Sequence, residues 1–176
     1  MAVSSNGSVL IMYASRAHVD KILKPSEVVN QYTILNNEQA ESAVANEGLK
    51  GVEELKAAVR GKDMTAISTR ELAMLGSMLY RLGLAEDFAA TVFVAGNSDC
   101  DRQGRPRNTD VKFNAIALFN QKYQEQREYG ESQPNYSQDK QLQAFTRGVK
   151  SANHILAVLS WFASSPGDDL ALNVKA

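Results

Sequence analysis

Leu142, Phe145, Val149, Ala152, Leu156, Leu159 and Ala163 recur at spacings of 3, 4, 3, 4, 3 and 4. An extended strand would scatter these side chains over both faces, whereas an α-helix gathers them on one. The spacing predicts a helix from Gln138 to Ala163, capped by Ser137 and stopped by Pro166-Gly167. Ile155, Val158 and Phe162 broaden the stripe near its C-terminal end, where Trp161 also lies. A stripe of that width suits the interior of a helical bundle better than a two-stranded coiled coil. The long helix is therefore expected to be the bundle's central element.

The other helix signals point the same way. Ser68-Thr69-Arg70-Glu71 reads as a capping box, in which the Ser hydroxyl and the Glu carboxylate each satisfy an otherwise orphaned amide. Leu72, Leu75, Leu79 and Leu82 follow as one buried stripe, and Gly83 ends that helix. Glu86 to Ala95 forms a more apolar helix stopped at Gly96-Asn97. Asn37 caps an Ala/Glu-rich helix reaching Gly48, and Val52 to Val59 is a short amphipathic helix closed by Gly61. Helix formers resume at Asp110, with Val111, Ala115, Ile116, Leu118, Phe119 and Tyr123 inward, and Gly130 to Tyr136 is a linker. Pro25 ends the preceding segment; Val9, Met12, Val19, Ile22 and Leu23 fit a helix, although Val9 to Ala14 also suits a strand. The expected architecture is all-α: a compact bundle of about five or six helices. A minor β-pairing of the termini, Leu170 to Val174 against Val9 to Met12, is the one anticipated departure. Residues 1–8 read as a polar tail and residues 9–176 as a single helical domain, which 176 residues suffice to form.

Composition narrows the functional classes. A net charge of −1 disfavours a protein that tracks nucleic-acid backbone, since neutralising phosphates requires a basic excess. One cysteine, Cys100, rules out an intrachain disulfide and a Cys-rich zinc site, and two histidines, His18 and His154, leave little for a His-based metal centre. Cys100 stands between Asp99 and Asp101, whose charges disfavour the thiolate that a nucleophile needs. The longest apolar run, Val9 to Ala14, falls far short of the roughly 20 residues that span a bilayer, so no membrane role is expected. Cytoplasmic residence is the default, with export through an uncleaved N-terminal signal as its rival. No Gly-rich phosphate cradle occurs: Gly48-Leu49-Lys50-Gly51 supplies turn glycines.

The most specific local pattern runs from Asp99 to Asp110 between two expected helices. In outline it resembles an EF-hand calcium loop. Asp99, Asp101, Gln103 and Asp110 place side-chain oxygens at loop positions 1, 3, 5 and 12, and Gly104 falls at the sharp turn of position 6. The resemblance covers this loop alone and implies calcium as the cofactor. The loop departs from the family in carrying Asp110 rather than a longer Glu, Pro106 at position 8, and no second copy to pair with. It also carries Arg102, Arg105 and Arg107, which suit an acidic partner or phosphate.

Met74 and Met78 add an adaptable apolar pair, and the long seam could receive a helix from another chain. The leading expectation is a non-enzymatic interaction protein (an adaptor, secreted accessory factor or assembly subunit) that binds a protein partner or self-associates. A calcium-dependent binding module is the alternative, and an enzyme with scattered site residues is the third reading.

Overall fold

A computed structural model describes residues 30–164. Six helices and two short strands occupy them. These are α1 (Asn37–Asn46), α2 (Val52–Val59), β1 (Ile67–Ser68), α3 (Thr69–Arg81), α4 (Asp87–Ala95), β2 (Lys112–Phe113), α5 (Ala115–Ser132) and α6 (Lys140–Ser164). The mostly helical architecture is as the sequence predicts. The expected helix over Val9 to Leu23 and the pairing of the termini lie outside the described residues.

The long helix is the hub, packing against α1, α2, α4 and α5. Val149, Ala152, Leu156 and Leu159 of the seam are buried, as are Ile155, Val158 and Phe162. Burying each of the larger aliphatic side chains contributes about 1.5–3 kcal/mol, so most of what holds the bundle together converges on this helix. Phe162 also carries the Lys56 ammonium of α2 over its ring, 5.7 Å from the centroid. Because the seam lies in the protein's own core, the idea that it receives a helix from another chain is set aside. The N-terminal boundary differs slightly from expectation. Asp139, not Ser137, caps α6, its carboxylate accepting from the Leu142 amide at 2.9 Å.

Local rules set the other helix ends. The Ser68 capping box is complete: the Ser68 hydroxyl accepts from the Glu71 amide, and the Glu71 carboxylate accepts from the Ser68 amide. α3 closes on Gly83, whose φ of 65° lets the Leu84 amide reach the Leu79 carbonyl at 2.8 Å. That turn buries Leu84 and leaves Leu82, expected inside, 45% exposed. α1 ends in the same manner, with Gly48 at φ 63° and the Leu49 amide on the Val44 carbonyl. Its cap is Asn36, one residue before the expected Asn37.

One element departs from the expected pattern. Lys112 and Phe113 are extended, not helical, and pair antiparallel with Ser68 and Ile67. Helix α5 begins only after Asn114, whose side chain caps it by accepting from the Ala117 amide at 3.0 Å. Val111 is consequently exposed, while Phe113 enters the core.

Two glycines bring helices unusually close. A Cβ at Gly148 of α6 would lie 2.3 Å from Phe88 Cβ, and one at Gly76 of α3 would lie 2.6 Å from Phe93 Cβ and 3.0 Å from the Ala90 carbonyl oxygen. Helix α4 is thus gripped from both sides. Phe93, fully buried, meets Phe119 edge-on at 5.1 Å. A polar layer interrupts the apolar interior: Asn30 Nδ2 donates to Asn153 Oδ1 at 2.7 Å and to the Ile116 carbonyl, and the Gln31 amide donates to Asn120 Oδ1.

Candidate functional site

The close approach of α3 and α4 leaves a long shallow groove on their outer side. It consists of two adjoining depressions of 510 and 460 Å³ that share Ser77, Arg81 and Val94. Ala73, Gly76 and Ser77 line its α3 side, and at Gly76 a larger residue would not allow the helices to meet. Met74, 68% exposed, and Val94, 48% exposed, line the same depression. Tyr80, 57% exposed, borders the other. Arg70 and Arg81 bring positive charge to this surface, and Asp87 brings one carboxylate. Of the methionine pair singled out in sequence, Met74 faces the groove while Met78 packs half-buried against the core.

The loop read as calcium-binding flanks this groove through Pro106 and Thr109. It folds as a tight hairpin: the Asp101 amide donates to the Arg105 carbonyl, the Arg107 amide donates to the Asp99 carbonyl, and Gly104 turns the chain at φ 78°. The Asp101 carboxylate accepts from the Gln103 and Arg105 amides at 2.8 and 2.9 Å, and Asp99 accepts from the Asn108 side chain at 2.7 Å. Asp110 turns elsewhere. Its two oxygens take a forked pair of hydrogen bonds from Arg70 at 2.6 and 3.1 Å, which hold its carboxyl below the usual carboxylate range. Gln103 is exposed at the hairpin tip. Of the four proposed oxygen donors, Asp99 and Asp101 thus serve the hairpin, Asp110 serves Arg70 and Gln103 is exposed, and among the described residues no group of three or more His, Cys, Asp or Glu side chains is placed to hold a metal. Arg102, Arg105 and Arg107 are exposed, and their side chains make no ion pair with another described residue.

Two further polar clusters escape sequence reading. Glu47, at the end of α1, accepts from Ser151 Oγ at 2.5 Å and lies 2.8 Å from His154 Nδ1. Burial pushes the Glu47 carboxyl up, but the His154 and Ser151 hydrogen bonds outweigh it and leave the group below its ordinary value. Tyr32 lies against the His154 ring at 4.5 Å. Ser151 bonds the carboxylate rather than the imidazole, so the trio lacks the nucleophile-to-base contact of a hydrolytic triad. The second cluster surrounds Lys122 of α5, whose ammonium reaches the Gly96 carbonyl at 2.7 Å and Ser98 Oγ at 3.0 Å.

Arg70 stands one turn before Met74 on the same face of α3, whereas Val94 comes from α4 and joins them only through folding, which is why the sequence alone does not show the groove. Gly76, set among the α3 leucines, was the available hint of a close helix approach. No protein-family model, characterised protein or solved structure matches this chain. No helix among the described residues is long and apolar enough to cross a membrane.

Proposed function

We propose that the chain is a non-enzymatic interaction protein whose α3–α4 groove receives an apolar segment of a protein partner, a second copy of the chain being the first to test. The observation that carries this reading is the exposure of Met74 and Val94 side by side in the groove. Covering a Met or Val side chain releases about 1.5–3 kcal/mol when burial is complete, and the unbranched Met adapts to the shape of what covers it. Arg81 beside the groove, together with Arg102, Arg105 and Arg107 on the flanking hairpin, suits a segment that carries carboxylates next to its apolar residues.

Sedimentation velocity over a wide concentration range, on the wild type and on Met74→Asp, tests self-association. Mass-action growth that the substitution abolishes, with the circular dichroism spectrum unchanged, supports it. For a different partner, a photo-crosslinking residue at Ser77 is irradiated in the native host beside a control at exposed Glu54 of α2. A discrete adduct formed only at Ser77 and lost with Met74→Asp supports that version. A strictly monomeric protein giving no adduct above the control would overturn the proposal.

A further inference from the structure

Lys122 occupies an unusual position for a lysine. Its side chain enters a half-enclosed cavity of about 60 Å³ between α4, α5 and α6, with Val92, Phe145 and Val149 on the walls. Two acceptors await the nitrogen, the Gly96 carbonyl oxygen and Ser98 Oγ. These two contacts hold the nitrogen beside the apolar walls of the cavity. Of the described residues lining that cavity, Glu125 is the only other ionisable group, and α4 and α6 contribute apolar side chains.

We infer that Lys122 is a covalent modification site, an amine nucleophile that takes a short aliphatic aldehyde into this cavity as a Schiff base. The Nζ lone pair attacks the carbonyl carbon, and the carbonyl π electrons move to oxygen, which is protonated. The nitrogen loses a proton, giving a neutral carbinolamine. The nitrogen lone pair then expels the hydroxyl, which takes a proton from solvent and leaves as water, giving the protonated imine with no change of oxidation state. The apolar walls take the alkyl chain, and the Glu125 carboxylate balances the charge of the protonated imine. Burial pushes the Lys122 ammonium down to about 8, against an opposing pull from Glu125. At pH 7 about one molecule in ten then carries the free amine, compared with a few in ten thousand for an ordinary lysine.

The test treats the whole folded chain with propionaldehyde and sodium cyanoborohydride, the hydride serving only to trap the imine, and maps modified lysines by mass spectrometry between pH 6 and 10. Lys122 is expected to be alkylated at least tenfold faster than Lys50 or Lys150 at pH 7, with its rate levelling off near pH 8. That preference should vanish in guanidinium, where the cavity is gone. Glu125→Gln removes the carboxylate that favours the charged amine, so the midpoint of the pH profile should move down. Lys122 reacting no faster than Lys50 or Lys150, or following their pH profile, would overturn the inference, as would a preference that survives unfolding.

Discussion

Replacing Gly148 by alanine should destabilise the protein, although alanine is the better helix former. The substitution gains about 1 kcal/mol of intrinsic helix preference. Against this, the new methyl would stand 2.3 Å from Phe88 Cβ and 3.2 Å from the Phe88 carbonyl carbon. Neither atom can turn aside by a change of rotamer, so α4 and α6 must move apart, and overpacking of this kind costs about 1–3 kcal/mol, occasionally more. With backbone as the obstacle we place the cost at the upper end, which leaves a net loss of about 2 kcal/mol. For a chain of this size that lowers the melting temperature by about 4–8 °C. Thermal and urea unfolding followed by circular dichroism measure it. Phe88→Ala in the same background should give no rescue, because it keeps the clashing Cβ. A Gly148→Ala protein as stable as the wild type, or more so, would refute the close helix contact and with it the grip on α4 that shapes the groove.

Glu71→Gln preserves an acceptor for the capping box but removes the charge. The hydrogen bond from Lys112, followed by that from Ser68, holds the Glu71 carboxyl at about 2 against an ordinary 4.5. A depressed carboxyl contributes stability above its unfolded value and loses it as pH falls through the folded one, so the advantage of the wild type over Glu71→Gln should shrink between about pH 4.5 and 2 in urea titrations; an advantage constant across that window contradicts the assignment. Calcium coordination by Asp99, Asp101, Gln103 and Asp110 would require Asp110 to leave Arg70, so calorimetry at millimolar calcium should record no binding heat; a heat abolished by Asp101→Asn would restore the cation reading. Asp101→Ala removes two backbone contacts from the hairpin and should speed hydrogen exchange at Gln103 and Arg105, at a global cost of about 1 kcal/mol or less. Unchanged exchange at both amides would show that the turn holds without the carboxylate.

The capping box and the heptad seam were legible because their causes are local: Ser68 and Glu71 are three residues apart, and the seam is a repeat along one helix. The strand at Lys112 and Phe113 was not. Its extended conformation is set by pairing with Ile67 and Ser68, more than forty residues earlier, and the local hints, Val111 and Phe113 before the capping Asn114, are too short to outweigh the helical pattern that follows. The same applies to Lys122, whose acceptors lie at the end of another helix. The hairpin at Asp99 to Asp110 shows the converse. Its turn residues were read correctly, but their oxygens serve backbone amides and an arginine that sequence spacing does not reveal.

The asparagine layer bears on which alignment of the bundle is adopted. From Ile155 to Leu159 every residue of α6 is buried and apolar, so a shift of one helical turn would still present aliphatic side chains to the core. Such a slip would bring Val149 or Ala157 opposite Asn30 in place of Asn153. The Asn30 amide would then keep the Ile116 carbonyl but lose its shorter bond, at a cost of about 0.5–1.5 kcal/mol. Greasy contacts alone discriminate weakly between the two alignments, whereas the Asn30–Asn153 bond is available in only one. The buried amides thus act as a registration mark, giving up some cohesion so that the longest helix has one place to stop.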